Sequence, residues 1–338
     1  MRILAVESSC DETAVAVVED GRRVLADCIA SQVELHRLYG GVVPEIASRK
    51  HIEAIYPLAD QALQKAGITR KDIDAVAVTY APGLIGAVLV GVNFAKAAAM
   101  ALDKPLIPVH HIRGHIAANY IAYPDLEPPF LCLVVSGGHT MIVDVQDYTR
   151  MQILGTTLDD AAGESFDKVA RVLGMPYPGG AALDRAAQNG DEKMYELPRS
   201  KPGQNPFDMS FSGLKTATLN LIHHAQQVGE ELDVSSLCAS FSAAVSDTLV
   251  PRVIQALERT GYKKLAVAGG VAANSRIRRD LAAAAQKLRA SLYMPPLSLC
   301  GDNAAMIGAQ AYFEFLSGNV ADMNLNAYAT KSIIGECI

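Results

Sequence analysis

The chain repeats itself, and that constrains its fold more than any single motif. Ile3-Leu4-Ala5-Val6-Glu7-Ser8-Ser9 lies over Leu131-Cys132-Leu133-Val134-Val135-Ser136-Gly137. Each copy is an apolar strand that runs into a small-residue turn, then an alternating strand (13–20 and 139–145), then a third strand (22–31 and 150–157). Asp20-Gly21 is a tight-turn dipeptide between the second and third strands of the first half. There the periodicity then predicts a helix ending on Gly67, a strand over 75–80, an apolar helix entered through Pro82-Gly83, a strand over 106–110 and a helix starting near His111. The second half predicts a helix over 159–174, a Pro/Gly-rich loop over 175–181 and a polar loop near 199–210. Helices near 211–228 and 235–260 follow, then strand (KKLAVAGG), helix (VAANSRIRRDLAAAAQKL), strand (SLYMP) and helix (DNAAMIGAQAYFEFLSG).

Two copies of a βββαβα unit describe an α/β fold of duplicated actin-like ATPase domains, the ribonuclease H-like architecture of sugar kinases and chaperone ATPases (ASKHA), with a ligand cleft between the domains. The alternative is a doubly wound α/β enzyme with an ordinary second domain. A length of 338 residues suits two domains. The Pro124–Pro129 linker sets them at 1–125 and 126–338, with the last helix free to pack back on the first. A formal charge of −6 gives no global footprint for nucleic acid, and no DNA is expected. The N-terminus is neither a signal nor a transit peptide. No apolar run approaches the length needed for a bilayer: Leu84–Leu102 comes closest, but Asn93 and Lys96 interrupt it. Cys10, Cys28, Cys132, Cys238, Cys300 and Cys337 form no CxxC and mostly have apolar neighbours, which reads as reduced core thiols in a cytoplasmic protein.

His111 and His115 stand four apart in His110-His111-Ile112-Arg113-Gly114-His115, so a helix puts both imidazoles on one face, where they could ligate zinc or iron or form a surface pair. The HExxH protease motif is absent, because Ile112 stands where it needs Glu. Asp302 is the best candidate for a third ligand, yet taken alone an Asp opening an apolar helix reads first as an N-cap; Cys300 reads as core. Ser136-Gly137-Gly138-His139-Thr140 can turn successive N–H groups toward a phosphate, or be a plain hairpin turn. The matching first-half turn carries Asp11 and Glu12, which could hold a cation, orient a nucleophile or simply be solvated. Gly269-Gly270 feeding a helix suits an anion or a ribose, with Asn274 as cap or ligand contact. Asp159, Asp160, Glu164, Asp167, Lys168, Pro178-Gly179-Gly180 and Asp184 face the cleft in the repeat reading, or form a solvated helix face. No Walker lysine motif and no GxGxxG occurs, which removes P-loop and Rossmann readings.

VHHIRGH, LVVSGGHT, AGESFDKVARVLG with PYPGG, MSFSGLKT, AGGVAANS and CGDNAAMIG occur in this order, over essentially the whole chain from ESSCDET to DNAAMIG. Together they resemble the bacterial tRNA adenosine threonylcarbamoyltransferase family, once described as O-sialoglycoprotein endopeptidases. The resemblance implies transfer of a threonylcarbamoyl group from threonylcarbamoyl-AMP to the exocyclic amine of the adenosine 3′ of the anticodon in tRNAs reading ANN codons. It implies one divalent metal, Fe2+ or Zn2+, on His111, His115 and Asp302, and Mg2+ with bound nucleotide. The donor would lie on Val134, Val135, Ser136, Gly137, Gly138, Asp167, Gly180, Asp184 and Asn274. Partners would be tRNA, a smaller paralogous subunit and a P-loop ATPase. Archaeal members carry a Tyr metal ligand where this chain has Val134, which leaves a coordination position to ligand or water.

The donor is a mixed anhydride with AMP as leaving group, so no covalent enzyme intermediate is needed. The metal would act as Lewis acid, and Asp11 or Glu12 would take the amine proton. Arg276, Arg278, Arg279 and Arg49 with Lys50 are candidates for tRNA phosphate, or solvated helix charges. A sugar or acyl kinase of the same fold, and a non-catalytic actin-like scaffold, are the alternatives.

Overall fold

The computed structural model describes residues 1–201 and 203–334; Cys337 lies outside them. The chain divides into two compact units. One holds Met1–Pro128, Gln146–Gln152 and the chain from Pro295 onward; the other holds Pro129–Val145 and Ile153–Met294.

The first unit runs β1 (Arg2–Glu7), β2 (Glu12–Glu19), β3 (Arg23–Ser31), α1 (Val33–Arg37), α2 (Pro44–Ala66), β4 (Ala75–Ala81), α3 (Ile85–Leu102), β5 (Leu106–His110) and α4 (His111–Ala122). The other unit contains β6 (Phe130–Val135), β7 (Thr140–Val145) and β8 (Met151–Thr156), whose first two residues belong to the first unit. It continues with α5 (Ala162–Val172), α6 (Gly179–Ala187), α7 (Ser212–Val228), α8 (Val234–Thr260), β9 (Lys264–Ala268), α9 (Ser275–Leu288) and β10 (Ser291–Tyr293). Helix α10 (Ala304–Leu316) returns to the first unit.

The strand orders are β3-β2-β1-β4-β5 and, read in the matching direction, β8-β7-β6-β9-β10. In each sheet the first strand pairs antiparallel with the second and parallel with the next in the sheet, and the registers agree: Ile3 faces Ala75 where Leu131 faces Leu265. The duplication read from the sequence is therefore present strand for strand.

The β1 sequence explains why the first sheet is covered on both faces. Leu4 and Val6 pack with Val76, Val78 and the α2 and α3 side chains Ile55, Leu58, Val88 and Val92. Ile3 and Ala5 point the other way, toward Ile107, Val109 and the α10 residues Ala304, Met306 and Ile307. Strands buried on both faces read as continuous apolar runs, which is how this one was legible.

Several local expectations are corrected. α5 spans Ala162–Val172 and not 159–174, and α6 begins at Gly179, inside the stretch read as loop. A short 3-10 turn over Gly270–Ala273 precedes α9. α3 and α8 are both long and apolar enough to cross a membrane by length and composition, contrary to the reading of the apolar runs. α8 is largely buried within its unit, and α3 packs on β4 and α2. Cys28, Cys132, Cys238 and Cys300 are buried and Cys10 is half-buried, with no disulfide among the described residues.

Candidate active site

The first candidate site lies at the carboxyl ends of the parallel strands β1, β4 and β5, where open α/β sheets bind ligands. β5 ends on His110, whose ring nitrogen accepts from the Ile112 N–H and caps α4. α4 therefore starts at His111, and His115 follows one turn on, the two rings edge to face at 4.6 Å between centroids. α10 brings Asp302. Its N-cap is Asn303, whose Oδ1 accepts from Met306 N at 2.8 Å, so the cap reading of Asp302 is corrected by one residue and its carboxylate stands at the histidines. Asp302 Oδ1 lies 3.2 Å from His115 Nε2 and 3.6 Å from His111 Nε2. Gly114 permits this closeness: a Cβ there would sit 2.6 Å from Ile307 Cδ1 on α10.

Behind His111 is a carboxylate that sequence reasoning missed. Glu7, fully buried at the end of β1, accepts from His111 Nδ1 at 3.1 Å, from Thr79 Oγ1 and from Ser9 N, and Ser9 Oγ is 3.2 Å from the same imidazole nitrogen. The only signal in the sequence was a charged residue closing an apolar strand. A carboxylate on Nδ1 fixes the ring and leaves Nε2 for a cation, as in metal centres. Burial pushes the His111 pKa down, but Asp302 and then Glu7 outweigh it and bring it up to about 9. Burial raises the Glu7 pKa, and His111 more than reverses this, leaving it below the usual range.

A metal fits here. Among the described residues, neither ring nitrogen of His115, 1 % exposed, makes a hydrogen bond, with Asp302 Oδ1 only standing near Nε2, although such groups are rarely buried unsatisfied. Ligand atoms of His111, His115 and Asp302 lie within 4.8 Å of one another, and the N/N/O set suits zinc or ferrous iron. Cys300 is not among them; its thiol faces the Pro295 and Pro296 carbonyls.

The acid turn of the same unit follows β1. Asp11 is buried, and Glu12 accepts from Ser31 Oγ at 3.0 Å. Burial first, then Asp11 and Asp302, push the Glu12 pKa up to about 9.

The second unit holds a separate candidate at the ends of β6 and β9. Val134 and Val135 are wholly buried strand residues that can offer a ligand only backbone atoms. Ser136 closes the turn, with Ser136 N donating to His139 O and His139 N to Ser136 Oγ, and it leaves Gly137 and Gly138 exposed. The α5 N-terminus packs against this turn: Ala162 N donates to Thr140 Oγ1, and a Cβ on Gly163 would lie 2.5 Å from Ser136 O. Asp167 accepts from Gly180 N at the start of α6. Asp184 accepts from the Ser275 amide and hydroxyl, and Asn274 caps α9 through Ile277 N. Hydrogen bonds thus link Asp167 on α5 to Gly180 on α6, and Asp184 on α6 to Ser275 beside Asn274 on α9, while the β6 turn meets α5 by close packing at Gly163. Asp159 and Asp160 serve α7: the first accepts from Phe211 N and Ser212 N, the second from Lys215.

The basic residues considered for RNA are engaged locally. Arg276 pairs with Glu192 and Asp280, Arg279 lies near the same two acids, and Arg278 donates to Ala272 O. Arg49 pairs with Glu45, and Lys50 with Glu53.

A profile described as TsaD, tRNA N6-adenosine threonylcarbamoyltransferase, matches residues 23–309. The protein of that name from Moorella thermoacetica is 54% identical over 325 residues, 96% of this chain and 95% of its own. One from Clostridium perfringens is 53% identical over 325 residues, covering 96% of each. Among solved structures, HypF from T. kodakarensis superposes with a TM-score of 0.65 at 16% identity, over 94% of this chain and 48% of that one. Component A of the Acidaminococcus fermentans (R)-2-hydroxyglutaryl-CoA dehydratase gives 0.53 at 15%, over 93% and 98%. These distant structures agree on the actin-like fold alone. At over half identity along nearly its whole length, the chain belongs to the tRNA N6-adenosine threonylcarbamoyltransferase family.

Proposed function

We propose that this chain transfers the threonylcarbamoyl group of threonylcarbamoyl-AMP to N6 of the adenosine 3′ of the anticodon in tRNAs reading ANN codons, with one divalent metal, iron or zinc, on His111, His115 and Asp302. The supporting observation is the convergence of those three side chains, backed by Glu7, in a chain of this family. When bound, the metal would supply Lewis acidity to a donor oxygen.

The amine nitrogen attacks the carbamoyl carbon, the bond from that carbon to the phosphate oxygen breaks, and AMP leaves with the electron pair. The amine proton must go to a base, and we assign that task to the Asp11–Glu12 pair. Burial, then Asp11 and Asp302, hold Glu12 up to about 9, so Glu12 carries a proton at neutral pH and the pair sits where one proton can be passed on. The Ser136–Gly138 turn would hold the donor, through backbone groups that cannot be lost by side-chain motion, with Val134, Val135, Asp167, Gly180, Asp184 and Asn274 supporting it. Mg2+ would accompany the nucleotide.

We assign the protein to the cytoplasm, with a smaller paralogous subunit and a P-loop ATPase as partners. Exposed Ile52 and Tyr56 on α2, and Ile85 and Leu89 on α3, give such a subunit an apolar surface. The locally paired arginines leave room for a partner to supply phosphate contacts. The test is transfer with all partners, donor and unmodified tRNA, read by nucleoside mass spectrometry. Product that vanishes in His111→Ala supports the reading; no product from the complete system overturns it.

A further inference from the structure

We propose that His51 is a positioning residue that holds Asp11 and Glu12 in place for proton acceptance; the inference rests on the role given to that pair above. His51 lies on α2 and is 0 % exposed. Its Nε2 is 3.0 Å from Cys10 O, and its Nδ1 is 2.8 Å from Thr13 Oγ1. A carbonyl only accepts, so Nε2 carries the hydrogen and Nδ1 accepts from the Thr13 hydroxyl. One neutral tautomer satisfies both nitrogens, and burial, which holds the His51 pKa below its ordinary value, favours the same state.

The two bonds fall on the residues immediately before and after the acid pair. A third constraint acts between them: Gln32 N donates to Asp11 O at 2.9 Å. Gln32 is itself fixed. Its Oε1 lies 3.2 Å from Nε2 of His36, also 0 % exposed, whose Nδ1 accepts from Val43 N in the Gly40-Gly41-Val42-Val43 loop. Two buried histidines and one glutamine therefore brace a single short turn. An apolar side chain would fill the His51 site without the desolvation that a buried imidazole carries. What the imidazole adds is directional: it sets the path of the backbone on both sides of Asp11 and Glu12.

The test is steady-state transfer in the complete system with His51→Leu, His51→Gln, Thr13→Val and Asp11→Asn, with metal content and melting temperature measured for each. His51→Leu should keep its metal and lower kcat roughly 100-fold, with the donor KM within about threefold, because a displacement of about 1 Å is enough for such a loss. Gln keeps a donor where Nε2 stood, so His51→Gln should recover roughly tenfold of it. In an Asp11→Asn background, His51→Leu should add no further loss, since the two act as one unit. If His51→Leu fails to fold, Thr13→Val still decides: it removes one hydroxyl at constant shape and should lower kcat roughly tenfold.

A lower melting temperature with kcat within threefold, or a loss carried by KM alone, would make the brace merely structural and overturn the inference. If Asp11→Asn and Glu12→Gln themselves leave kcat unchanged, it is the acid-pair reading that fails. A loss in Asp11→Asn beside an unaffected His51→Leu refutes only the inference drawn here.

Discussion

At the proposed His111–His115–Asp302 centre, metal binding would displace a proton, and the size of that competition follows from the site. In the metal-free protein, Asp302 and Glu7 hold the His111 pKa at about 9 against an ordinary 6.5. At pH 7, roughly one molecule in a hundred has the neutral imidazole a metal needs, so apparent affinity falls short of its limit by about 100-fold, or ~2.7 kcal/mol. Affinity should rise close to tenfold per pH unit from 6.5 to about 8.5 and level off above 9, with about one proton released per metal bound. The sign for stability is opposite. A raised histidine pKa stabilises the metal-free fold below about 6.5, and that contribution is lost as pH rises through about 9. Zn2+ titration calorimetry in two buffers of different ionisation enthalpy measures the released proton directly. Glu7→Gln removes one of the two charges; it should flatten the pH dependence near neutrality and weaken limiting affinity by roughly 10–100-fold. An affinity flat from pH 6 to 9, with no proton released, would refute the reasoning.

Other outcomes follow from single positions. Gly163→Ala puts a Cβ 2.5 Å from Ser136 O and 2.8 Å from Gly137 Cα, both backbone, so the turn must shift; nucleotide affinity by calorimetry should fall roughly tenfold while metal binding is unchanged. Burial pushes the Asp27 carboxyl up to about 6 against the amides at the start of α10, so the acid favours folding below about pH 4 and this is lost as pH rises through 6. Asp27→Asn should therefore raise stability by about 2 kcal/mol at pH 7.5 and by little at pH 4, measured by urea unfolding. Ile52→Glu on the exposed α2 face should abolish co-purification with the smaller subunit without altering the melting temperature.

How far the sequence could be read depended on whether the signal was local. Strands such as Arg2–Glu7 and Phe130–Val135 are buried on both faces, so their apolar runs and their duplication stood out. The four-residue spacing of His111 and His115 is a helical property and survived unchanged. Asp302 was ambiguous because a cap and a ligand look alike one residue apart; only the bond from Met306 N to Asn303 resolves it. Glu7 was missed because its partners, His111 and Thr79, are far along the chain. Helix α6 was missed because Gly179 and Gly180 suggest a loop, while its start is held from a distance by Asp167. The packing of α10 on the first sheet depends equally on contacts distant in sequence.

We propose a metal-assisted transfer on the His111–His115–Asp302 centre. Single-turnover transfer by chelator-treated protein, before and after one equivalent of Fe2+ or Zn2+ and with all partners present, tests it most directly. Modified adenosine is expected only after reconstitution, and none from reconstituted His115→Ala. Equal product from the metal-stripped and reloaded protein would contradict it.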